Sequence, residues 1–129
     1  ILAFEVFEHL AEPLEDIERI LTFSKNVFYS TLLVPSGIPQ PDTWWYYGLD
    51  HGQHVSFYTR ESLRLIARNL GLNFVTNGTS LHLFTERDVS PILYQFLLHD
   101  KIVHLIDIFL NRRSLLAEDY HRVTGKRLV

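Results

Sequence analysis

The segment Asn26–Val34 constrains the fold of this chain more than any other feature of its sequence. Its residues, NVFYSTLLV, are rich in β-branched and aromatic side chains, and Pro35 ends the run. Such a run is typical of a strand that is mostly buried, as strands of a parallel sheet are. A parallel sheet needs helices on both of its faces, so the sequence should supply them nearby.

The elements before this strand alternate between strand and helix. Ile1–Val6 is apolar enough to predict the end of a buried strand. The next helix should begin at Pro13, because proline suits the first helical turn, and Leu14, Ile17 and Leu21 then recur at helical spacing. Alternation of this kind predicts an α/β fold with a parallel sheet.

A second helix is predicted after a long loop. His54–Tyr58 resembles a short strand, Thr59 is a suitable N-cap, and Gly71 suits the C-terminal end of the helix. The apolar face of this helix comprises Leu63, Ile66, Ala67 and Leu70.

A hairpin follows, since Asn77-Gly78 between two apolar segments is a strong turn signal. We expect Asn26–Val34 and Leu72–Thr76 to be neighbours in one mostly parallel sheet, with Thr79–Thr85 antiparallel within it. Helices should cover these strands on both faces of the sheet.

The C-terminal part of the sequence predicts helices only. Ser90-Pro91 should open a helix of about 20 residues, and Leu115–Val123 a shorter one. Charged residues interrupt the apolar stretch from Ile92 to Leu110, which favours an amphipathic helix over a membrane span. We therefore expect no membrane association.

The composition narrows the functional class. The 129 residues are 47% hydrophobic and 21% charged, as in a globular domain, and the formal charge of −3 disfavours nucleic acid as a partner. Cysteine is absent, which removes disulfides and thiolate chemistry and indicates a cytoplasmic protein. Methionine is also absent, so we expect a truncated domain, a piece of a longer chain.

Two segments resemble the class I S-adenosylmethionine-dependent methyltransferases, especially the small-molecule branch. AFEVFEHLAEPLEDIERI, residues 3–20, is similar to the fourth strand and following helix, where the strand ends in E-V-x-E-H. HVSFYTRESLRLIARNLGLNFV, residues 54–75, is similar to a later helix and the sixth strand. The resemblance implies the second half of a Rossmann-like sheet over residues 1–86, with parallel strands and an antiparallel hairpin strand. Residues 87–129 would be a helical extension.

The resemblance also implies S-adenosylmethionine as cofactor, with Phe4 and Glu5 on the cofactor side. Methyltransferases of this class hold the cofactor mainly through a glycine-rich loop after their first strand. None of the six glycines here forms a strand–GxGxxG–helix unit. The chain should therefore be the acceptor side of the enzyme and should be inactive alone.

An acidic and histidine-rich group follows the first predicted strand. Small-RNA 2′-O-methyltransferases, and some ubiquinone-pathway O-methyltransferases, resemble this chain in having E-x-x-E-H here, and the RNA enzymes add a downstream histidine to a metal site. By this resemblance, Glu5, Glu8, His9 and His54 would form a site for Mg²⁺ or Mn²⁺. Alternatively, His9 and His54 are catalytic as general base or pocket residues, or His9 only caps the next helix.

The densest aromatic cluster lies in the loop Pro35–Asp50, where Trp44, Trp45 and Tyr47, together with His51, could wall an acceptor pocket. Equally, alternate rings could be buried to anchor the loop.

We expect a small-molecule acceptor and O-methylation. The alternatives are a non-catalytic binding module derived from the methyltransferase fold, and a metal-dependent hydrolase. An incomplete sheet should leave an open edge, so self-association as a dimer is also expected.

Overall fold

A four-stranded sheet forms the centre of the N-terminal part of the chain. The computed structural model describes residues 1–103 and 116–127, and the chain divides into two compact units, Ile1–Phe96 and Leu97–Val129. The strands are β1 (Leu2–Ala3), β2 (Val27–Ser30), β3 (Asn73–Thr76) and β4 (Leu81–Thr85), in the spatial order β1-β2-β4-β3.

The strand order corrects one prediction. β1 pairs with β2 in parallel, but β2 pairs with β4, and β4 lies between β2 and β3 with antiparallel pairing on both sides. The segments 26–34 and 72–76 thus run in the same direction without being neighbours. The reason is the hairpin, because its short turn brings β4 back along β3 and leaves the other edge of β4 to pair with β2.

Three predicted strands are much shorter than expected or missing, and one of them is β2, which covers only Val27–Ser30 of the predicted 26–34. β1 ends at Ala3, and Glu5 has a φ of +53°, a left-handed conformation that ends the extended backbone. The segment 54–58 is not a strand, and only Tyr58 forms an isolated bridge, to Leu33. The amides of Val55 and Ser56 donate to the carbonyl of Glu8 and so are not available for a sheet.

The first two α-helices along the chain confirm their sequence signals. α1 covers Pro13–Phe23 and buries Ile17 and Leu21. α2 covers Arg60–Asn69 and buries Leu63 and Ala67. The Thr59 hydroxyl accepts from the Ser62 amide, while the Ser62 hydroxyl accepts from the Thr59 amide, which satisfies two amides that the helix leaves open.

The hydrophobic core lies between the sheet and these helices. Phe7 is fully buried and stacks on Tyr29, with ring centroids 3.9 Å apart and planes 12° from parallel. Phe84 of β4 packs against both rings. The buried cluster comprises Ala3, Phe7, Ile17, Leu21, Val27, Tyr29, Tyr58, Leu63, Ala67 and Phe84.

The predicted hairpin forms, although its turn is longer than two residues. The side-chain oxygen of Asn77 accepts hydrogen bonds from the backbone amides of Thr79, Ser80 and Leu81. Gly78 has a φ of +89°, which a residue with a side chain adopts at a cost. Asparagine therefore shapes the turn through its side chain as well as its backbone.

The helix predicted to open at Ser90-Pro91 is interrupted. α3 covers only Pro91–Leu97, and the His99 carbonyl accepts from the amides of Ile102 and Val103, which begins another helical segment. The later part of the prediction lies outside the described residues. α4 covers Leu116–Thr124 and confirms the last predicted helix. Among the described residues, no helix has the length and apolarity to cross a membrane.

Candidate functional site

The candidate site begins where β1 ends. A 3₁₀ turn, Phe7–His9, follows the left-handed residue Glu5. The Glu5 amide donates to Ser30 Oγ, and that hydroxyl donates to Glu5 Oε1 over 2.7 Å. Because Ser30 is the last residue of β2, these bonds hold the turn at the carboxyl edge of the two parallel strands, the usual ligand edge of an α/β sheet.

The segment before α2 is bonded to the same turn. The amides of Val55 and Ser56 donate to the Glu8 carbonyl over 2.8 and 3.0 Å. The Ser56 hydroxyl donates to the Leu10 carbonyl over 2.6 Å. These backbone contacts bring residues that are more than 40 positions apart in the sequence to one place.

Glu8, His9 and His54 come together as a result. One ligand atom from each of them lies within 4.8 Å of the others, and the two imidazole rings are 5.0 Å apart, centroid to centroid. Glu8 is fully buried, His54 is half-buried and His9 is exposed. The predicted convergence of the two histidines is present in the structure.

Hydrogen bonds to carbonyl oxygens orient both rings. His9 Nδ1 donates to the Gln53 carbonyl over 2.8 Å, and His54 Nδ1 donates to the Tyr46 carbonyl over 2.6 Å. A carbonyl only accepts, so Nδ1 carries the proton in each neutral ring and Nε2 carries a lone pair. Within residues 1–103 and 116–127, no hydrogen bond occupies either Nε2 atom.

The carboxylate of Glu8 is the exceptional group of the site. In the part of the chain that the structure describes, neither of its oxygens has a hydrogen-bond partner, although the side chain is fully buried. Buried polar atoms are nearly always paired, because losing hydration without a replacement is costly. Among the described residues, both oxygens of Glu8 and the Nε2 atoms of the two imidazoles beside them are thus without a hydrogen-bond partner.

The structure places Glu5 and Phe4 outside this group. The Glu5 carboxylate bonds to Ser30, and Phe4 packs edge-on against Phe28 with ring centroids 5.4 Å apart. The three-residue group thus contains three of the four predicted metal ligands. The cofactor roles of Phe4 and Glu5 stay predictions.

The aromatic loop lies next to the site. Trp44 and Trp45 line a cavity of about 330 Å³ together with His51, whose ring centroid is 5.7 Å from that of His54. Trp44 is half-buried among other rings, whereas Trp45 is 79% exposed. Tyr47 donates its hydroxyl to the Pro39 carbonyl over 3.0 Å. Their predicted role in acceptor binding stays a prediction.

Two tyrosines of the site have no individual role predicted from the sequence, since Tyr46 counted only as one of the four consecutive aromatic residues of the loop. The Tyr46 hydroxyl accepts from the Leu32 amide over 3.0 Å, and burial raises its pKa, with Glu8 adding to the increase. The Tyr58 hydroxyl donates to the Phe7 carbonyl over 2.9 Å, and burial raises its pKa to about 12. Tyr46 lies within a run of four aromatics, and no local signal separates the anchoring ring from its neighbours.

The geometry of the site is therefore compatible with two functions, proton transfer and cation binding. An imidazole with a free Nε2 can accept a proton from an acceptor group. One carboxylate and two imidazoles can also hold a divalent cation, with a buried carboxylate as the charged ligand.

Fold and site together define an α/β domain with its candidate site at the carboxyl edge of the parallel strands. The chain matches the family model of the methyltransferase domain over residues 1–77, from β1 to the end of β3. It therefore belongs to the methyltransferase domain family, whose members generally use S-adenosylmethionine. No curated protein and no solved structure matches the chain.

Proposed function

We propose that this chain forms the acceptor side of an S-adenosylmethionine-dependent methyltransferase that O-methylates a small molecule. The observation that carries this proposal is the convergence of Glu8, His9 and His54 at the ligand edge of the sheet. The neighbouring cavity, lined by Trp44 and Trp45, supplies apolar surface for the acceptor.

In the proposed reaction, a hydroxyl of the acceptor lies near the imidazoles. S-adenosylmethionine, when bound, would supply the methyl group: the acceptor oxygen would form a carbon–oxygen bond as the carbon–sulfur bond breaks, which leaves S-adenosylhomocysteine. The hydroxyl proton passes to the Nε2 of His9 or His54. General-base catalysis of this type contributes about 10²- to 10⁴-fold to a rate.

A divalent cation fits the same three residues. Glu8 would supply the charged oxygen and the two histidines their Nε2 atoms, since each Nδ1 is already bonded to a carbonyl. Such a cation, when bound, lowers the pKa of an acceptor hydroxyl.

Cation binding is testable on the 129-residue chain itself. We would titrate it with Co²⁺ and follow the ligand-field absorption, comparing Glu8→Gln and His54→Ala with His51→Ala. His51 lies near the group but outside it. Loss of binding in the first two variants with retention in the third would support the site. Equal binding by all variants would refute it.

The absent glycine-rich loop predicts weak cofactor binding. Close approach of a backbone to the cofactor needs glycine, and the chain has no strand–GxGxxG–helix unit. The isolated chain should therefore be inactive and should show no micromolar binding of S-adenosylmethionine by calorimetry. A micromolar dissociation constant would contradict this part of the proposal.

If residues upstream of this chain supply the cofactor-binding half, the main test is the activity of that longer protein. A panel of hydroxylated small molecules should include a methylated product, with and without EDTA. Loss of activity with EDTA and its return with Mg²⁺ or Mn²⁺ would support the cation, whereas activity that resists EDTA would support the histidine base alone. A non-catalytic binding module remains the alternative, and it predicts no strand–GxGxxG–helix upstream.

The outer edge of β1 suggests a dimer. Leu2 is 71% exposed on this edge strand, and unpaired edges invite pairing. We propose that the isolated chain self-associates there. Light scattering at increasing concentration should show a dimer, and a constant monomer mass would overturn this proposal.

A further inference from the structure

We infer that Tyr46 is a positioning residue, which fixes the orientation and tautomer of His54 and so couples the aromatic loop to the candidate site. The inference rests on the proposed function only for its catalytic consequence. Its structural part concerns hydrogen bonds that are present in the chain itself.

The side chain of Tyr46 is anchored to the end of the sheet. Its hydroxyl oxygen accepts from the Leu32 amide over 3.0 Å and shares a hydrogen bond with Thr31 Oγ1 over 3.2 Å. Both partners directly follow the last residue of β2, and the Tyr46 ring is buried. The ring therefore has one fixed place relative to the sheet.

The backbone and ring of the same residue hold His54. The Tyr46 carbonyl accepts from His54 Nδ1 over 2.6 Å, and the two rings are in contact, with centroids 4.5 Å apart. The carbonyl selects the tautomer with the proton on Nδ1, so the lone pair is on Nε2. The ring contact restricts rotation of the imidazole. One residue thus determines which nitrogen of His54 can accept a proton or bind a ligand.

Tyr47 provides a matched comparison in the same loop. Both tyrosines lie in the short helical turn Trp45–Tyr47, and each makes hydroxyl hydrogen bonds. The Tyr47 hydroxyl bonds to the Pro39 carbonyl, which belongs to the loop, whereas Tyr46 bonds to the sheet. Removing either hydroxyl costs hydrogen bonding, but only Tyr46 connects the sheet to His54.

The experiment compares Tyr46→Phe, Thr31→Val and Tyr47→Phe in the 129-residue chain labelled with ¹⁵N-histidine. Long-range ¹H–¹⁵N spectra at alkaline pH report the tautomer of each neutral imidazole, and the spectrum of His54→Asn identifies the His54 signals. We expect one Nδ1-protonated tautomer in the parent chain and a mixture in Tyr46→Phe. Thr31→Val leaves the Leu32 bond, so its shift should be smaller, and Tyr47→Phe should keep the parent spectrum.

Two results would overturn the inference. Tyr46→Phe could keep a single Nδ1-protonated His54, or Tyr47→Phe could change the tautomer to the same extent. Thr31→Val keeps the test informative if Tyr46→Phe fails to fold, because it alters the anchor and leaves the ring in place.

The catalytic consequence is measured in the extended, active protein. We expect Tyr46→Phe to lower kcat by about 10- to 100-fold, the usual effect of losing a partner that orients a functional histidine. KM for S-adenosylmethionine should stay unchanged. A purely structural role would instead lower the rate only in proportion to the folded fraction. If the extended protein is inactive while the tautomer still depends on Tyr46, the proposed function fails and the positioning role stands.

Discussion

The histidine at the centre of the sheet and the histidines at its carboxyl edge differ in how many of their ring nitrogens are hydrogen-bonded. His82 of β4 is fully buried, and both of its nitrogens are hydrogen-bonded, Nδ1 to Thr76 Oγ1 over 2.7 Å and Nε2 to the Thr31 carbonyl over 2.9 Å. At the edge, His9 and His54 each bond through Nδ1 to a carbonyl. In the described residues, their Nε2 atoms have no protein partner.

This difference separates a structural polar group from one that is available for chemistry. Thr31 contributes to both regions, since its carbonyl accepts from His82 and its hydroxyl bonds to Tyr46. Where a polar group is fully paired, burial is tolerated and the group stabilises one conformation. Where a buried carboxylate such as Glu8 has no hydrogen-bond partner among the described residues, stability is reduced, which is typical of functional sites.

The largest expected effect is on turnover at the edge. If a longer protein containing this chain methylates an acceptor as proposed, His9→Ala should lower its kcat by about 10²- to 10⁴-fold, because a general base or a ligand is lost. The free energy of unfolding should change little, since His9 is exposed. Steady-state kinetics and urea unfolding measure both quantities. His121→Ala, at an exposed histidine of α4, is the control and should retain turnover. A decrease in kcat of less than tenfold for His9→Ala would contradict the distinction between the centre and the edge of the sheet.

A core substitution one residue before the site should show the opposite pattern. Phe7 is fully buried and stacks on Tyr29, so Phe7→Ala should lower the free energy of unfolding by about 3–5 kcal/mol. Urea denaturation of the 129-residue chain measures it. Phe23→Ala is the matched control, because Phe23 is 85% exposed, and it should change stability by at most about 0.5 kcal/mol. Equal effects of the two variants would show that the core is misassigned.

The buried His82 should make stability depend on pH. Burial lowers its pKa from 6.5 to about 4, so between these values the unfolded chain binds a proton that the folded chain does not. The contribution of His82 is full above pH 6.5 and is lost as the pH falls towards 4, by about 3 kcal/mol. Urea unfolding across this window should show the slope, and His82→Gln should reduce it. A slope retained in His82→Gln would assign it to other groups.

The smallest expected effect concerns Glu8. Glu8→Gln keeps the shape of the side chain and removes a buried charge that has no partner among the described residues. Stability should stay within about 1 kcal/mol of the parent or increase, because no paired interaction is lost. Chemical denaturation without added cation measures this. A loss of more than about 2 kcal/mol would indicate a partnered carboxylate and would contradict the distinction between centre and edge.

Local signals predicted α1, α2 and the hairpin well. Pro13 begins α1, Thr59 caps α2, and Asn77-Gly78 lies in the turn between β3 and β4. Each of these signals acts within a few residues, so tertiary contacts are not needed to interpret it. The convergence of His9 and His54 was also predicted, but from the resemblance to methyltransferases and the general position of loops at the edge of a sheet.

Non-local features were predicted less well. The segment 54–58 has the composition of a strand, yet its amides bond to the Glu8 carbonyl. The segments 26–34 and 72–76 have the composition of neighbouring parallel strands, yet β4 lies between them. Composition indicates that a segment will be extended or buried. Its hydrogen-bond partner depends on which backbone segment the tertiary structure places beside it.

The sequence by itself determined the α/β class, the start of α1, the bounds of α2, the hairpin, and the acidic and histidine residues at the end of β1. It did so because helical periodicity, caps and turns are short-range properties. Only the tertiary structure decided that the Glu8 carboxylate is buried without a hydrogen-bond partner among the described residues. It also decided that the Glu5 carboxylate bonds to Ser30, and that Tyr46 rather than its aromatic neighbours holds His54. These outcomes depend on contacts between residues 8 to 48 positions apart, such as Tyr46 with His54 and Glu8 with Ser56. Burial and hydrogen-bond partners are properties of that packing and not of any single segment.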